Sequence, residues 1–293
     1  SPLGLRINAQ NTADVTQTED WIRIRGDQLV PRAGFYDVRI TAELWETAFV
    51  DHVVLMAIDH PDETEVYVDE RFAPEAPTLA VHATSKPRPV ARAWDHKGND
   101  VTELVTEQDG RYLAAFDLGR YQGVAHHDHF VEFEIAGEIP NEHPLWLLAS
   151  GWVYPTDSSI NVAIGQGTDV RPRGLSLEAE DEAGRWVVVF PDLGFPAGKN
   201  KTILIDLTEV TRAGVARPRR LRLRTNLEIY WDRLATATET ERTDMRMTRL
   251  QPSAAELRYR GFSETDHLRE EVPETPVYGR IANVTPRWRD LVG

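Results

Sequence analysis

The chain has 293 residues, 33 of them basic and 47 acidic, which gives a formal net charge of −14. We expect no binding to nucleic acid, because a nucleic-acid-binding surface needs clustered Lys and Arg. We expect no membrane insertion, because no apolar run reaches ~18 residues. The absence of cysteine excludes disulfides, thiolate metal sites and a cysteine nucleophile.

The first third of the chain is a series of strand patterns. Alternating or continuous apolar runs predict strands within residues 20–26, 34–45, 51–59 and 64–72. Residues 73–89 carry several prolines and mark a connection or an edge. The tetrapeptide Lys97-Gly98-Asn99-Asp100 is typical of a hairpin turn.

Strand patterns continue through the rest of the chain. They cover residues 129–135 and 144–154, a hairpin over 175–190 that turns at 181–184, and residues 201–207, 244–250 and 255–262. The longest alternation runs over residues 221–232, with apolar Leu221 and Leu223 against polar Arg222 and Arg224.

These patterns predict an all-β fold, an antiparallel β-sandwich or jelly roll made of two packed β-units with little helix. We expect an N-terminal β-unit over residues 1–110, a β-sandwich over 111–262 and an extended tail or connector over 263–293. The chain opens without a methionine or a signal-peptide pattern and closes abruptly. We therefore expect it to be an excerpt of a longer protein.

The tripeptide Tyr230-Trp231-Asp232 ends the longest strand pattern. Strand parity places Trp231 in the core and Tyr230 on the polar side, where Tyr230 and Asp232 could form a sugar-binding platform. The row of Arg220, Arg222 and Arg224 either pairs with carboxylates on neighbouring strands, such as Asp206, or binds an acidic ligand.

A histidine-rich stretch, "AHHDHF", contains His126, His127, Asp128 and His129. Imidazoles two residues apart on a strand would share one side, so His127, His129 and Asp128 could bind a divalent metal. A polar turn explains the same residues without a metal.

Residues 153–169 predict a polar loop at one end of the sandwich. Its polar side chains could meet a sugar or calcium, namely Asp157, Ser158, Ser159, Asn161 and Gln166. The acidic stretches at residues 59–65 and 178–184 also place oxygen ligands close together, as Ca²⁺ requires. Solvated turns are the alternative in each case.

Several phrases resemble a known family: "GWVYPTDSSINVAIGQG", "AGRWVVVFPDLGFPAGKNKTILIDL", "LRLRTNLEIYWDRLATA", "AELRYRGFS" and "YGRIANVTPRWRDLVG". They are similar to the C-terminal part of large bacterial proteins with FG-GAP propeller repeats and an ASPIC/UnbV segment, some with tetratricopeptide repeats. The resemblance implies a bacterial secreted, periplasmic or cell-surface protein whose upstream domains are partners of this region. It assigns no catalytic residues.

Residues 129–237 also resemble a galactose-binding-like, discoidin-type jelly roll, through "DEAGRWVVV" and "RRLRLRTN". Together the two resemblances imply a non-catalytic binding or scaffold module that binds a glycan or a protein, with Ca²⁺ as a candidate ion. The alternative is a hydrolase acting on glycans, which would need a cleft with two carboxylates ~5–10 Å apart.

Overall fold

The computed structural model describes residues 6–8, 11–16, 21–41, 43, 50, 52–73, 80–139, 143–156, 158–198, 200–215, 218, 220–241, 244–266 and 275–282. The strands are β1 (Arg6–Asn8), β2 (Asn11–Thr16), β3 (Leu55–Asp59), β4 (Thr64–Val68), β5 (Arg71–Phe72), β6 (Val81–Ser85), β7 (Arg88–Pro89), β8 (Arg92–Asp95), β9 (Leu113–Ala114), β10 (Val124–Glu134), β11 (Leu145–Val153), β12 (Ser176–Glu180), β13 (Trp186–Phe190), β14 (Phe195–Pro196), β15 (Lys201–Asp206), β16 (Leu221–Leu227), β17 (Ile229–Thr238), β18 (Arg246–Leu250), β19 (Ser263–Asp266) and β20 (Thr275–Ile281). The helices are α1 (Thr102–Val105), α2 (Ser158–Gln166) and α3 (Thr208–Arg212).

Two antiparallel sheets form a sandwich, which confirms the predicted all-β fold. The front sheet has the order β13-β12-β16-β10-β8, and the back sheet has the order β15-β11-β17-β7 with β9 also paired to β17. Their inner faces share one core, whose fully buried side chains include Phe133, Leu147, Leu177, Leu223 and Trp231. Burying each such side chain contributes about 1.5–3 kcal/mol. The predicted core position of Trp231 is therefore confirmed.

The chain passes from the front sheet to the back sheet at Glu228, between β16 and β17. The single strand expected over residues 221–232 is thus two strands in different sheets. Leu221 and Leu223 before the corner, and Ile229 and Trp231 after it, all point into the same core. Because the apolar alternation continues unbroken through the corner, the sequence pattern could not reveal it.

The segment before residue 111 contributes to both sheets. Strand β7 pairs with β17 of the back sheet, and β8 pairs with β10 of the front sheet. Ahead of them, the antiparallel pair of β4 and β6 packs on the outer surface of the back sheet, where Tyr67 clusters with Leu148 and Leu204. The back sheet is thus covered on both faces, and the front sheet has one outer face without a covering layer in the described part of the chain.

A short strap, Asp69-Glu70-Arg71, caps the free edge of β15. The Thr202 N–H donates to a carboxylate oxygen of Glu70 (2.7 Å) and the Thr202 carbonyl accepts from the Glu70 N–H (3.1 Å). The Leu204 N–H donates to Asp69 (3.2 Å), and the Leu204 carbonyl accepts from Arg71. An uncapped edge strand would be open to pairing with another chain, and this strap blocks that pairing.

Two arms lie outside the sandwich. We call the described residues among 22–60 the N-terminal arm and the described residues among 244–282 the C-terminal arm. They meet in the two-stranded ribbon of β3 and β18, and again where the Glu43 carboxylate accepts hydrogen bonds from Ser263 (2.8 Å). The C-terminal arm ends in the β19–β20 pair, so the segment expected to be a tail contains a strand pair.

Several local expectations are corrected. The described residues among 20–26, 34–45 and 255–262 form no strand. In the described part of the chain their backbone makes only scattered contacts, such as the Arg32–Phe35 bridge, the hydrogen bond from the Arg23 N–H to Glu70 and the one from the Ala282 N–H to the Phe262 carbonyl. The predicted loop over residues 153–169 contains helix α2, which buries Ile160 and Ile164 at helical spacing. The turn at residues 97–100 is confirmed by hydrogen bonds of Asp95 with Gly98 and Asn99.

The strap yields a stability prediction. Glu70→Ala leaves the buried Thr202 N–H without its acceptor, and we expect unfolding free energy to fall by about 1–3 kcal/mol. Urea denaturation measures the loss. The exposed neighbour Glu63 is the control, and Glu63→Ala should change stability by less than about 0.5 kcal/mol. Equal effects of the two substitutions would show that the strap does not stabilise the edge.

Candidate functional site

The corner at Glu228 gathers the segments that were expected to bind a ligand. The Glu228 N–H donates to the Gly123 carbonyl (3.0 Å), and the Glu228 carbonyl accepts from the Tyr154 N–H (2.8 Å). Gln122 next to this turn donates through Nε2 to the Pro155 carbonyl (2.7 Å). The turn before β10, the segment that leads into α2 and the start of β17 are therefore held together.

Tyr230 lies in a buried aromatic cluster on the outer side of this corner. Its ring contacts Phe116 edge-on at 5.1 Å between centroids and lies near Tyr112 and Tyr154. Tyr112 donates its hydroxyl to Asn200 Oδ1 (2.7 Å). Burial, together with the nearby charge of Asp232, raises the pKa of Tyr112 to about 12. Since Tyr230 is only 4% exposed, it does not provide the exposed ring that stacking on a sugar requires.

Asp232 is fully buried at a register irregularity of β17. Its carboxylate accepts a hydrogen bond from the Gly110 N–H (2.9 Å) and ties the loop before β9 to the back sheet. The partner strand approaches so closely here that a Cβ on Gly151 would lie 2.6 Å from the Tyr230 carbonyl oxygen. Both Tyr230 and Asp232 are thus buried and stabilise the interior. Their positions do not support the sugar-binding platform at the surface.

The histidine-rich stretch is divided between the interior and the solvent. A register irregularity lies between Val124 and His129, so His129 is buried while His126 and His127 are exposed. His129 shares a 2.8 Å hydrogen bond with the Leu227 carbonyl, which makes its Nε2 the protonated nitrogen. Burial lowers the pKa of His129 to about 4. Asp128 is paired with Arg173 and Arg224.

The expected shared side for His127 and His129 is therefore corrected, because the register irregularity turns the two rings apart. Among the described residues, no three His, Asp or Glu side chains are grouped closely enough to hold a metal ion. Metal binding by His127, His129 and Asp128 stays a prediction, now with a poorer geometry.

Helix α2 carries the other expected ligand residues. Its buried side, Ile160 and Ile164, packs on Tyr121, and both Asn161 and Gln166 are exposed. Five positions separate the two along the helix, so their side chains leave the axis about 140° apart. Ser158 begins α2, with a side chain outside the described set, and Asp157 lies outside the described residues. The structure does not bring Asn161 and Gln166 to the corner residues Tyr230 and Asp232.

The arginine row forms the centre of a charged ladder on the outer face of the front sheet. Arg220 pairs with Glu132 (2.9 Å) and Glu180 (3.1 Å), and Arg222 pairs with Glu178. The partners lie on the flanking strands β10 and β12, and not at Asp206, which instead accepts hydrogen bonds from Thr208 in α3. The acidic stretch at residues 178–184 is thus largely neutralised, since Asp181 also pairs with Arg185.

Aromatic rings complete this outer face. The Arg222 guanidinium lies 4.1 Å from the ring centre of Trp186 and 4.9 Å from that of Phe130, and Arg220 lies 5.9 Å from the ring of Trp94. These are cation–π distances. An acidic ligand would have to compete with carboxylates that already bind the guanidinium groups, so the pairing interpretation of the arginine row is the one that the geometry supports.

This face was not anticipated as a unit, although its signal was present. The fragments "EFE" of β10, "EAE" of β12 and "RLRLR" of β16 alternate with opposite charges on the solvent side. Three neighbouring strands with that pattern would predict a cross-strand charge ladder. Their adjacency was the missing information, because β10, β12 and β16 are far apart in the chain.

His129 predicts how stability depends on pH. The unfolded chain protonates this imidazole near pH ~6.5, whereas the folded pKa is about 4. Stability from this group is therefore fully present above pH ~6.5 and is lost as pH falls toward about 4, by about 3 kcal/mol at most. Urea midpoints measured at several pH values between 7.5 and 4 test this.

His129→Gln, which keeps an N–H donor but does not titrate, should flatten that pH dependence. His127→Gln, at the exposed neighbour, is the matched control and should leave it unchanged. The assignment fails if both variants keep the pH dependence of the original protein.

None of the helices in the described part of the chain has the length and apolarity needed to cross a membrane. In comparisons with known proteins, no family model, no curated protein and no solved structure matches the chain. The resemblances to FG-GAP/ASPIC proteins and to galactose-binding-like jelly rolls stay predictions.

Proposed function

We propose that the chain is a non-catalytic scaffold module of a secreted or cell-surface bacterial protein of the FG-GAP/ASPIC type, and that it docks onto neighbouring domains through its two arms. The observation that carries the proposal is the placement of exposed apolar side chains. Within the described residues, the sandwich exposes few large ones, Leu118, Val162 and Val188 among them. The arms expose many more: Ile22, Ile24, Val30, Phe35, Tyr36, Val38, Ile40, Val50, Val53, Met247, Leu257, Tyr259, Tyr278 and Ile281.

Exposed apolar residues in this concentration are typical of an interaction surface. Phe35 is 64% exposed, and Leu257 and Tyr259 are almost completely exposed. The residues around Tyr36 and Val38 also alternate as a strand does, yet the described backbone there is unpaired. A strand-like segment without a sheet partner is suited to pairing with, or packing on, another folded surface.

The arms have little internal support of their own. The β3–β18 and β19–β20 pairs are two-stranded, and isolated two-stranded ribbons are marginally stable in water. Packing against another domain would bury their apolar side chains and order them. Upstream domains of the same longer protein are the partners that this proposal names.

A substitution test separates the arms from the sandwich. The double variant Phe35→Ser/Tyr259→Ser removes exposed rings only, so we expect weaker fluorescence of the apolar dye ANS and an unchanged melting temperature. The matched control, Leu118→Ser in the sandwich, should leave ANS fluorescence close to that of the original protein. Equal dye binding by all three proteins would contradict an apolar surface on the arms.

Hydrogen exchange tests docking itself. Amides of residues 22–41 and 246–262 should exchange more slowly when the chain is part of the longer protein with its upstream domains than when it is isolated. Equal exchange in both contexts would remove the proposal.

Glycan binding is a second candidate, favoured by the half-buried rings of Trp94 and Trp186 on the outer face of the front sheet. A glycan that binds only the folded chain raises stability by ~2.7 kcal/mol at a hundred times its dissociation constant. Thermal melting with a panel of soluble glycans tests this. A rise in melting temperature that Trp186→Ala abolishes would support glycan binding. If no glycan changes the melting temperature, only the scaffold proposal remains.

A further inference from the structure

The outer edge of the front sheet, strand β13, differs from the other sheet edges near it. At the opposite end of the same sheet, β8 is capped: the Ala93 N–H donates to Thr102 Oγ1 (2.9 Å) and the Ala93 carbonyl accepts from the Val101 N–H (2.9 Å). The β15 edge of the back sheet is capped by the strap at residues 69–71. In the described part of the chain, β13 pairs with β12 on one side and with nothing on the other.

Two hydrogen bonds define which backbone groups of β13 point outward. The Asp181 N–H donates to the Arg185 carbonyl, and the Glu180 N–H donates to the Arg220 carbonyl, both at 2.9 Å. The direction of the backbone N–H and C=O groups alternates along an antiparallel strand. The backbone groups of Arg185 and Val187 therefore point toward β12, and those of Trp186 and Val188 point away from it. The described residues supply no hydrogen-bond partner for the N–H and C=O groups of Trp186 and Val188.

The side chains of this edge are equally open. The strand is Trp-Val-Val-Val-Phe, without a charge or a proline, and Val188 is 52% exposed. Natural proteins usually protect such an edge with charges, prolines or a covering segment. An uncharged, β-branched edge with free donors and acceptors is the template for strand addition.

We propose that β13 is a dimerisation edge, at which a second copy of this chain adds its own β13 in antiparallel orientation. One register lets all the outward N–H and C=O groups of Trp186 and Val188 form hydrogen bonds. In it, Trp186 of one copy lies opposite Val188 of the other, and the two Val187 residues face each other across the two-fold axis. It forms four backbone hydrogen bonds and joins the two front sheets into one continuous ten-stranded sheet.

A second copy fits this edge because the same five residues satisfy both partners at once. Trp186 opposite Val188 is an aromatic and β-branched pair, which is favourable across antiparallel strands. The uncharged run also lets two chains of net charge −14 meet without like charges facing each other inside the strand pair. A two-fold contact closes on itself, so it yields a dimer and no filament.

Light scattering coupled to size-exclusion chromatography, over a range of concentrations, tests the proposal. We expect the original protein to dimerise. Val188→Pro removes one outward N–H per copy and leaves the hydrogen bonds to β12 intact. A proline is tolerated at such a position of an edge strand. Losing two interface hydrogen bonds should weaken the dimer by about 30-fold.

A second pair of variants guards against misfolding of the proline variant. Val188→Lys places a charge on the edge, and Val162→Lys makes the same change at an equally exposed valine on α2. Only Val188→Lys should yield the monomer. The arm variant Phe35→Ser/Tyr259→Ser should still dimerise, so this proposal and the scaffold proposal can fail separately.

The register has its own test, since the chain has no native cysteine. Val187→Cys would face its equivalent at a non-hydrogen-bonded position, where Cα atoms are ~4.5 Å apart and a disulfide can form. Mild oxidation should give a covalent dimer, and Val162→Cys should not at the same concentration. A monomeric original protein, or a dimer that withstands both Val188 substitutions, would overturn the proposal.

Discussion

The hydrogen bonds at Glu228 connect the two sheets of this protein. A chain that crosses from one sheet to the other through the interior carries its peptide groups out of water, and each needs a partner. Gly123 and Tyr154 supply those partners, at 3.0 and 2.8 Å. The same two bonds fix the turn before β10 and the segment leading into α2. The positions of the aromatic cluster around Tyr230 and of α2 thus follow from the hydrogen bonds that the Glu228 backbone makes where the chain crosses between the sheets.

Much of the sandwich was predictable from the sequence, and the reasons are local. Strands β11, β12, β13 and β15 lie where continuous apolar runs or a hairpin pattern placed them, because a half-buried strand repeats with period two. Helix α2 was missed since its polar residues and glycines resemble a loop, and only the contact of Ile160 and Ile164 with Tyr121 makes the helical spacing meaningful.

The candidate site was less predictable, because burial depends on which segments cover a residue. Tyr230 is on the polar side of its strand pattern, yet Phe116 and Tyr112 cover it. His129 is buried because of a register irregularity between Val124 and His129, and no local feature of the sequence predicts that irregularity. The charge ladder needed the neighbour order β12-β16-β10, a long-range fact. The sequence contained the side chains of the ladder but not their adjacency.

The pairing of β7 with β17, a strand far along the chain, has a consequence for how the protein is made. Pro89 lies opposite Ala235, so the back sheet cannot be completed until nearly the whole sandwich has been synthesised. At ~5–20 residues per second, the early strands wait on the order of ten seconds or more for their partners. Non-local pairing of this kind also slows folding itself. During that interval Val90, which is buried next to β7 and donates its N–H to the Leu234 carbonyl of β17 in the folded protein, has no back sheet to join, and a chaperone would protect it.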